Sequence, residues 1–338
     1  MHPHNAPKIA RWNTVSIAAI SSVLIAQALL AFAPCVLSAN IVERLTTLFI
    51  YGILALMWNA LAGYAGLLSV GHQAFFGLGA YAAVRLADLG MSAYSAMLLG
   101  AFLVAIFSVP LSFFMLRLKE GEFAIGMWVM ASLSHLLVNL DSLVQGETGT
   151  SLIALQQYDA DSRRAYTYWG ALGMMALLGW LVFWMLRGKV GIAAQAIRDN
   201  EEAASSVGVE VKSTKRLIFI LSAFGVAAAG ALWLATAITF QPKTYFSVQW
   251  SAYMIFMVLV GGIGTYEGPI LGAVLFFAVE SVFGAQGVSY LIGLGLVAVL
   301  FALFLPRGIW GAVENRFGIR LLPVGYRVVF PTSPKPRA

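Results

Sequence analysis

Ten apolar runs, each near the length of a bilayer crossing, leave this chain few ways to fold. They cover residues 15–33, 46–61, 67–86, 94–116, 123–140, 167–186, 217–239, 248–260, 270–283 and 288–305. A helix crosses hydrocarbon in about 20 apolar residues, with a range of roughly 17–25, and several of the runs reach or approach it. Only 11% of the residues are charged, too few to coat a water-facing surface, where about 25% is usual. A β-barrel would instead show short strands of alternating apolar and polar residues. The expected fold is all-α, a polytopic membrane protein with about ten transmembrane helices.

Basic residues orient the spans. With the N-terminus inside, sixteen of the 21 Lys and Arg fall on the cytoplasmic side. Arg44, Arg85, Arg163, Arg164 and Lys243 fall opposite. That asymmetry follows the positive-inside rule and puts both termini in the cytoplasm. The net charge of +6 therefore reads as topology and not as a nucleic-acid patch. The first run follows two basic residues but lacks an A-x-A-like site, so it reads as an uncleaved span. Cys35 stands alone, which excludes an intrachain disulfide or a cysteine metal cluster. Residues 1–310 read as one membrane domain and 311–338 as a cytoplasmic tail. From Pro306 on, Trp310, Phe317, Leu321 and Leu322 mix with arginines at the membrane surface before a disordered end.

One long polar interval interrupts the apolar runs: 187–216, RGKVGIAAQAIRDNEEAASSVGVEVKSTKR. Its alanines among Gln, Arg, Asp and Glu favour helix, with a stop at Gly208. It is either a solvated loop with a short helix or a docking element on the cytoplasmic side.

Nucleotide motifs are absent in substance. GVEVKST at 208–214 lacks the spacing of a phosphate-binding loop, and GLGAYA and GLGLVA lie inside apolar spans. His72 and His135 have no third ligand at metal spacing, no Ser/His/Asp set stands out, and no cofactor is expected. Two glycine-rich stretches break the helical pattern. One is GYAGLLSVGHQAFFGLGAYAA, 63–83; the other carries Gly261, Gly262, Gly264, Gly268, Pro269 and Gly272. Each is either a tight packing turn or a short, broken helix beside a path where exposed backbone meets a polar solute. A spacing of five spans would make the halves an inverted repeat. Polar residues inside spans are Asn59, Ser69, His72, Gln73, Tyr81, Ser132, His135, Asn139 and Glu280. Singly, each could bond two helices together; as a set they suit a path for a small neutral or zwitterionic solute. Intramembrane charges are too few for an evident proton relay or ion filter, which weighs against an ion-coupled carrier. A single-subunit channel leaves the charged loop unexplained.

Three stretches together resemble the permeases of branched-chain amino acid ABC transporters, specifically the longer of two paired subunits. They are 63–83 with its central S-x-G-H, the loop AIRDNEEAASSVGVEV, and VLVGGIGTYEGPILGAVLFFAVE. In the loop, Glu202, Ala203 and Ala204 followed by Gly208 match the E-A-A-x-x-x-G pattern by which bacterial ABC importers contact their ATPase. The similarity runs from about Leu45 to Trp310. It implies a bacterial inner-membrane importer subunit without covalent catalysis. Its implied partners are a shorter permease, two ATP-binding subunits, a periplasmic solute-binding protein and the lipid bilayer. Arg198, Asp199, Asn200 and Glu202 are implied to make polar contacts with the ATPase, and Ala203, Ala204 and Gly208 the close fit. One segment departs: VQGETGT at 144–150 stands where relatives have a T-G-G-S-N-G-like run. The implied cargo is a branched-chain amino acid, or else urea, a short amide or an aromatic acid.

Overall fold

The computed structural model describes residues 8–10, 14–317, 322 and 327–329. Helix α1 (Thr14–Ala31) leads through the short α2 (Ala33–Val36) to α3 (Ala39–Asn59), which ends in a π-helical turn, Ala60–Tyr64. After a gap come α4 (Gln73–Asp88), α5 (Ala93–Met115), α6 (Glu120–Asn139) and α7 (Ala160–Arg187). Two short helices, α8 (Lys189–Asp199) and α9 (Glu201–Ser206), precede α10 (Val211–Ala237). The chain then forms α11 (Pro242–Tyr245), α12 (Val248–Gly261), α13 (Gly268–Phe283), α14 (Val288–Phe304) and α15 (Gly308–Phe317). Lys8–Ala10 pairs antiparallel with Arg327–Val329, and Thr150–Ser151 with Thr239–Phe240.

Eight of these helical stretches are long and apolar enough to cross a membrane. With the shorter α1 and the 16-residue α4 they match the ten expected runs. The chain is a multi-pass helical membrane protein.

The centre is built by α3 and α10, the two most buried long helices. They run antiparallel: Ser222 lies beside Met57, and Trp233 stacks on Tyr51. Around them the packing repeats. Helices α4 and α5 lie on α10 as α12 and α13 lie on α3, and α4 touches α6 as α12 touches α14. The two sets, α3–α6 and α10–α14, are thus inverted copies, and α4 corresponds to α12 five spans later.

The glycine stretches themselves are not counterparts, which corrects the sequence expectation. The break after α3 (66–72) matches the break after α10 (238–247). The glycine-rich turn 262–267 joins α12 to α13 and matches the plain turn between α4 and α5. Glycine serves close approach in that turn, since a Cβ on Gly261 would overlap the carbonyl of Gly268.

Two further sequence readings shift. The third run was expected to be helical from 67, but helix begins only at Gln73. The charged interval holds two helices and not one, because Asn200 is extended (φ −161°, ψ 108°) and its side chain caps α9 by accepting from the Ala203 amide at 2.9 Å. The stop at Gly208 holds: the residue is left-handed (φ +88°), with its amide on Ser205 O and that of Val209 on Ala204 O. In the tail, Leu322 donates its amide to Glu267 Oε1 at 2.9 Å. Leu321 and the expected disordered end lie outside the described residues.

Helices inside lipid gain nothing from hydrophobic transfer, so association rests on close packing. Gly79 of α4 abuts the carbonyl of Ala227, and Gly230 of α10 abuts that of Phe76, so a Cβ at either place would overlap backbone. Gly230→Val is expected to lower stability by about 3 kcal/mol or more, read as a lower thermal midpoint in detergent. Gly173→Val, whose Cβ meets nothing within 4 Å, should change it by under about 1 kcal/mol.

Candidate functional site

Residues 66–72 leave α3 and turn back into the bundle without helical bonds. Gly66 is left-handed (φ +70°), and Gly71 lies so close to the Met127 carbonyl of α6 that no side chain fits. Backbone inside the membrane must find partners. Trp58 Nε1 donates to Ser69 O at 2.9 Å, and the Leu67 amide to Leu61 O at 3.1 Å. His72 is fully buried, with Nδ1 2.8 Å from Ser69 Oγ and Nε2 2.8 Å from Ser222 Oγ. The hydroxyl proton of Ser222 goes to Met57 O at 2.9 Å. Ser222 therefore accepts from His72, which places the ring proton on Nε2 and leaves Nδ1 to accept from Ser69. Next along, buried Gln73 is bonded to Ser251 of α12 through its side-chain oxygen.

At the end of the bundle that carries α8 and α9, Asn59 joins three elements. Its Nδ2 donates to Thr265 O and its Oδ1 accepts from the Gly264 amide, each at 2.8 Å. Beside it, Arg198 Nη1 donates to Gly63 O at 2.8 Å, while its Nε and Nη2 hold Asp199. The last turn of α8 is thereby tied to the π turn of α3, and through Asn59 to the glycine-rich turn. Gly262 and Gly268 shape that turn, where Gly262 lies at φ +136° and Gly308 packs against it. On α9, Glu202 and Ala203 are exposed and Ala204 is buried, and Gly208 just beyond its end is exposed.

The opposite end has two polar groups. The Tyr81 hydroxyl donates to Asp141 Oδ2 at 2.5 Å, and Arg85 Nε lies 3.5 Å from the same oxygen. Hydrogen bonds from Tyr81 and from the Leu143 amide, with Arg85 adding, hold the Asp141 carboxyl below its ordinary 3.8. Eight residues beyond the end of α6, Glu147 gathers His135 Nε2 (2.8 Å), Asn139 Nδ2 (2.6 Å) and the Lys243 amide (2.9 Å). Burial pushes the Glu147 carboxyl up, but Asn139, His135 and that amide outweigh it and hold it below its ordinary 4.5. His135 also stacks on Phe246, with centroids 5.6 Å apart. Glu147 thus fastens the 142–158 loop to α6 and α11.

Glu280 stands apart from all of these on α13, where its Oε1 accepts from the Tyr51 hydroxyl at 2.8 Å. Ser132 turns its hydroxyl back to Trp128 O on its own helix. The structure thus gathers Ser69 and His72, gathers Asn59, Gly63, Gly264 and Arg198, and gathers His135 and Asn139. Sequence reading missed Ser222, Ser251, Trp58 and Tyr51. A serine inside the alanine-rich α10 reads as a small packing residue, and only its distant partner shows otherwise. Among the described residues, no three His, Cys, Asp or Glu side chains converge as metal ligands.

The sequence profile of the family described as branched-chain amino acid transport system / permease component matches residues 40–305. The high-affinity branched-chain amino acid transport system permease protein LivM of Escherichia coli (strain K12) is 27% identical over 314 residues, covering 85% of this chain and 74% of LivM. LivM of Salmonella typhimurium is 27% identical over 303 residues, covering 82% and 71%. Among solved structures, a metal-chelate type ABC transporter in an inward-facing conformation superposes with a TM-score of 0.49 and 14% identity, covering 84% of this chain and 98% of that one.

Asn59→Leu leaves the Gly264 amide and Thr265 carbonyl without their partner; it is expected to cost about 2 kcal/mol or more, seen as a lower thermal midpoint. Carboxyls depressed in the folded state stabilise it above their ordinary values, 3.8 for Asp141 and 4.5 for Glu147, and lose that contribution as pH falls below them. Hydrogen exchange of 142–158 should therefore accelerate as pH drops through that range, after correction for intrinsic rates. Glu147→Gln should flatten the dependence in this loop.

Proposed function

The chain belongs to the family of permease components of branched-chain amino acid transport systems, and on that premise we propose that it is the membrane subunit of an ATP-driven importer. Its cargo is a branched-chain amino acid, delivered by a periplasmic binding protein and released into the cytoplasm. A second, shorter permease and two ATP-binding subunits complete the assembly in the bacterial inner membrane. Both termini and 187–216 face the cytoplasm, 1–310 forms the membrane domain and 311–338 the tail. Helix α9 is the part an ATPase seats in a groove, with Glu202, Ala203 and Gly208 at the contact; Ala204, expected at that contact too, is buried against the body and holds α9 to it instead.

The observation that carries this reading is the bonded line from α8 into the bundle. Arg198 reaches Gly63 O, and Asn59, four residues before Gly63, holds Gly264 and Thr265. Helix α8 also packs on α7, α10 and the π turn. A displacement of α9 by closure of an ATPase dimer thus reaches both glycine-rich breaks directly. Transport needs only that ATP stabilise one arrangement of these breaks over the other. The path candidates Asn59, Ser69, His72, Gln73, Tyr81, His135, Asn139, Gly261, Gly262, Gly264, Gly268 and Glu280 are those whose neighbours change as the breaks move. Their present hydrogen bonds define one resting arrangement.

Ala203→Trp adds bulk on an exposed position, so the fold should be unchanged. The expected result is loss of the co-purifying ATPase and of ATP-driven leucine uptake at normal permease yield. Gly208→Trp should act alike, with an added strain of about 1–2 kcal/mol from the left-handed backbone. Normal uptake and normal ATPase recovery in both variants would sink the coupling assignment.

A further inference from the structure

Glu280 is a carboxylate inside a membrane helix with no counter-charge. Among the described residues no Lys, Arg or His pairs with it. Its one hydrogen bond comes from Tyr51 and occupies Oε1, while Oε2 takes none from any described residue. Such a group is costly in lipid unless it serves a ligand or a partner.

Its surroundings are aromatic. Tyr51 meets the ring of Phe276 edge-on at 5.0 Å and stacks on Trp233 at 6.1 Å. Tyr253 lies 4.6 Å from Phe276 and 6.0 Å from Trp250. The phenols of Tyr253 and Tyr290 are within electrostatic reach of the same carboxylate. Tyr290 is only 6% exposed, and its hydroxyl is buried with no hydrogen-bond partner. A half-bonded carboxylate among these rings, with an orphaned hydroxyl on the helix that follows, is a site short of one donor-rich group. Aromatic rings with a carboxylate are also the usual receptor for an organic cation.

We propose that Glu280, with Tyr51, Tyr253 and Tyr290, binds the ammonium group of the transported solute. This rests on the importer reading and narrows it to solutes that carry a primary ammonium. The three N–H donors of an ammonium suit the free Oε2 and leave donors for the surrounding hydroxyls. Urea and short amides offer no charge to neutralise Glu280, and carboxylic acids are repelled by it. Glu280 lies one turn before the end of α13, on the side of the 142–158 loop and away from α8 and α9, where a solute enters in the proposed importer.

The test uses the permease purified with its native partners, reconstituted in liposomes and energised with ATP. Uptake is measured for leucine, for 4-methylpentanoate (leucine without its amino group) and for isovaleramide. The wild type should carry leucine and neither of the others. Glu280→Gln should lower leucine uptake by about ten-fold or more at equal amounts of assembled complex, the ratio expected from losing one hydrogen bond to a charged group. Glu280→Asp should keep part of it, and Tyr290→Phe should raise the half-saturating leucine concentration. Should Glu280→Gln fail to assemble, the Asp and Phe variants decide, and wild-type behaviour in both overturns the site. Equal uptake of 4-methylpentanoate or isovaleramide by the wild type overturns the site and leaves the importer standing. No ATP-driven uptake of any of the three overturns both.

Discussion

Backbone that leaves helical geometry inside a membrane must be given hydrogen bonds by something else, and this requirement organises the middle of the molecule. The chain from Gly66 to His72 gives up helix in order to pass between α3, α6 and α10. What replaces the missing bonds is a short, directional series: the indole of Trp58 on Ser69 O, Ser69 on His72, His72 on Ser222, and Ser222 on Met57 O. Every hydroxyl proton in the series is committed, so the partners fix one another's orientation. The packing glycines follow from the same need, because only Gly71 lets the unwound strand lie against α6.

Much of this was visible in the sequence, and the misses share a physical cause. Apolar length marked the spans because the bilayer sets a minimum that no local preference overrides. Gly208 marked the end of α9 because a left-handed turn favours a residue without Cβ. The break at 63–72 was legible as glycine beside S-x-G-H. What could not be read was which residues complete the breaks. Ser222 and Ser251 lie 150 and 178 residues from His72 and Gln73, and each is one small residue among others on its helix. Asn59 read as a polar residue on a path, yet both ends of its amide are engaged in joining two turns. The split between α8 and α9 hides in Asn200, which ends one helix and caps the next.

The inverted relation between the halves explains why the molecule has a break near each face. One opens beside α8 and α9, the other beside the loop fastened by Glu147. The halves have diverged in what fills them: 66–72 is served by a serine–histidine series, whereas 238–247 is packed with rings, Tyr245, Phe246 and Trp250 against Phe76 and Gly77. A polar filling holds a position by direction, and an aromatic filling holds it by area.

The contact of α4 with α10 has a mechanical meaning of its own. Gly79 and Gly230 each face the other helix's carbonyl, so backbone meets backbone at one place without interleaved side chains. Interleaved side chains act as gear teeth, resisting both sliding and turning. Here sliding is blocked by the carbonyls, and one turn away the ring of Phe75 meets that of Phe219 edge-on, with centroids 5.5 Å apart, which opposes rotation as well. The crossing is a locked joint, and the helix held in it carries Gln73 at one end and Tyr81 toward the other.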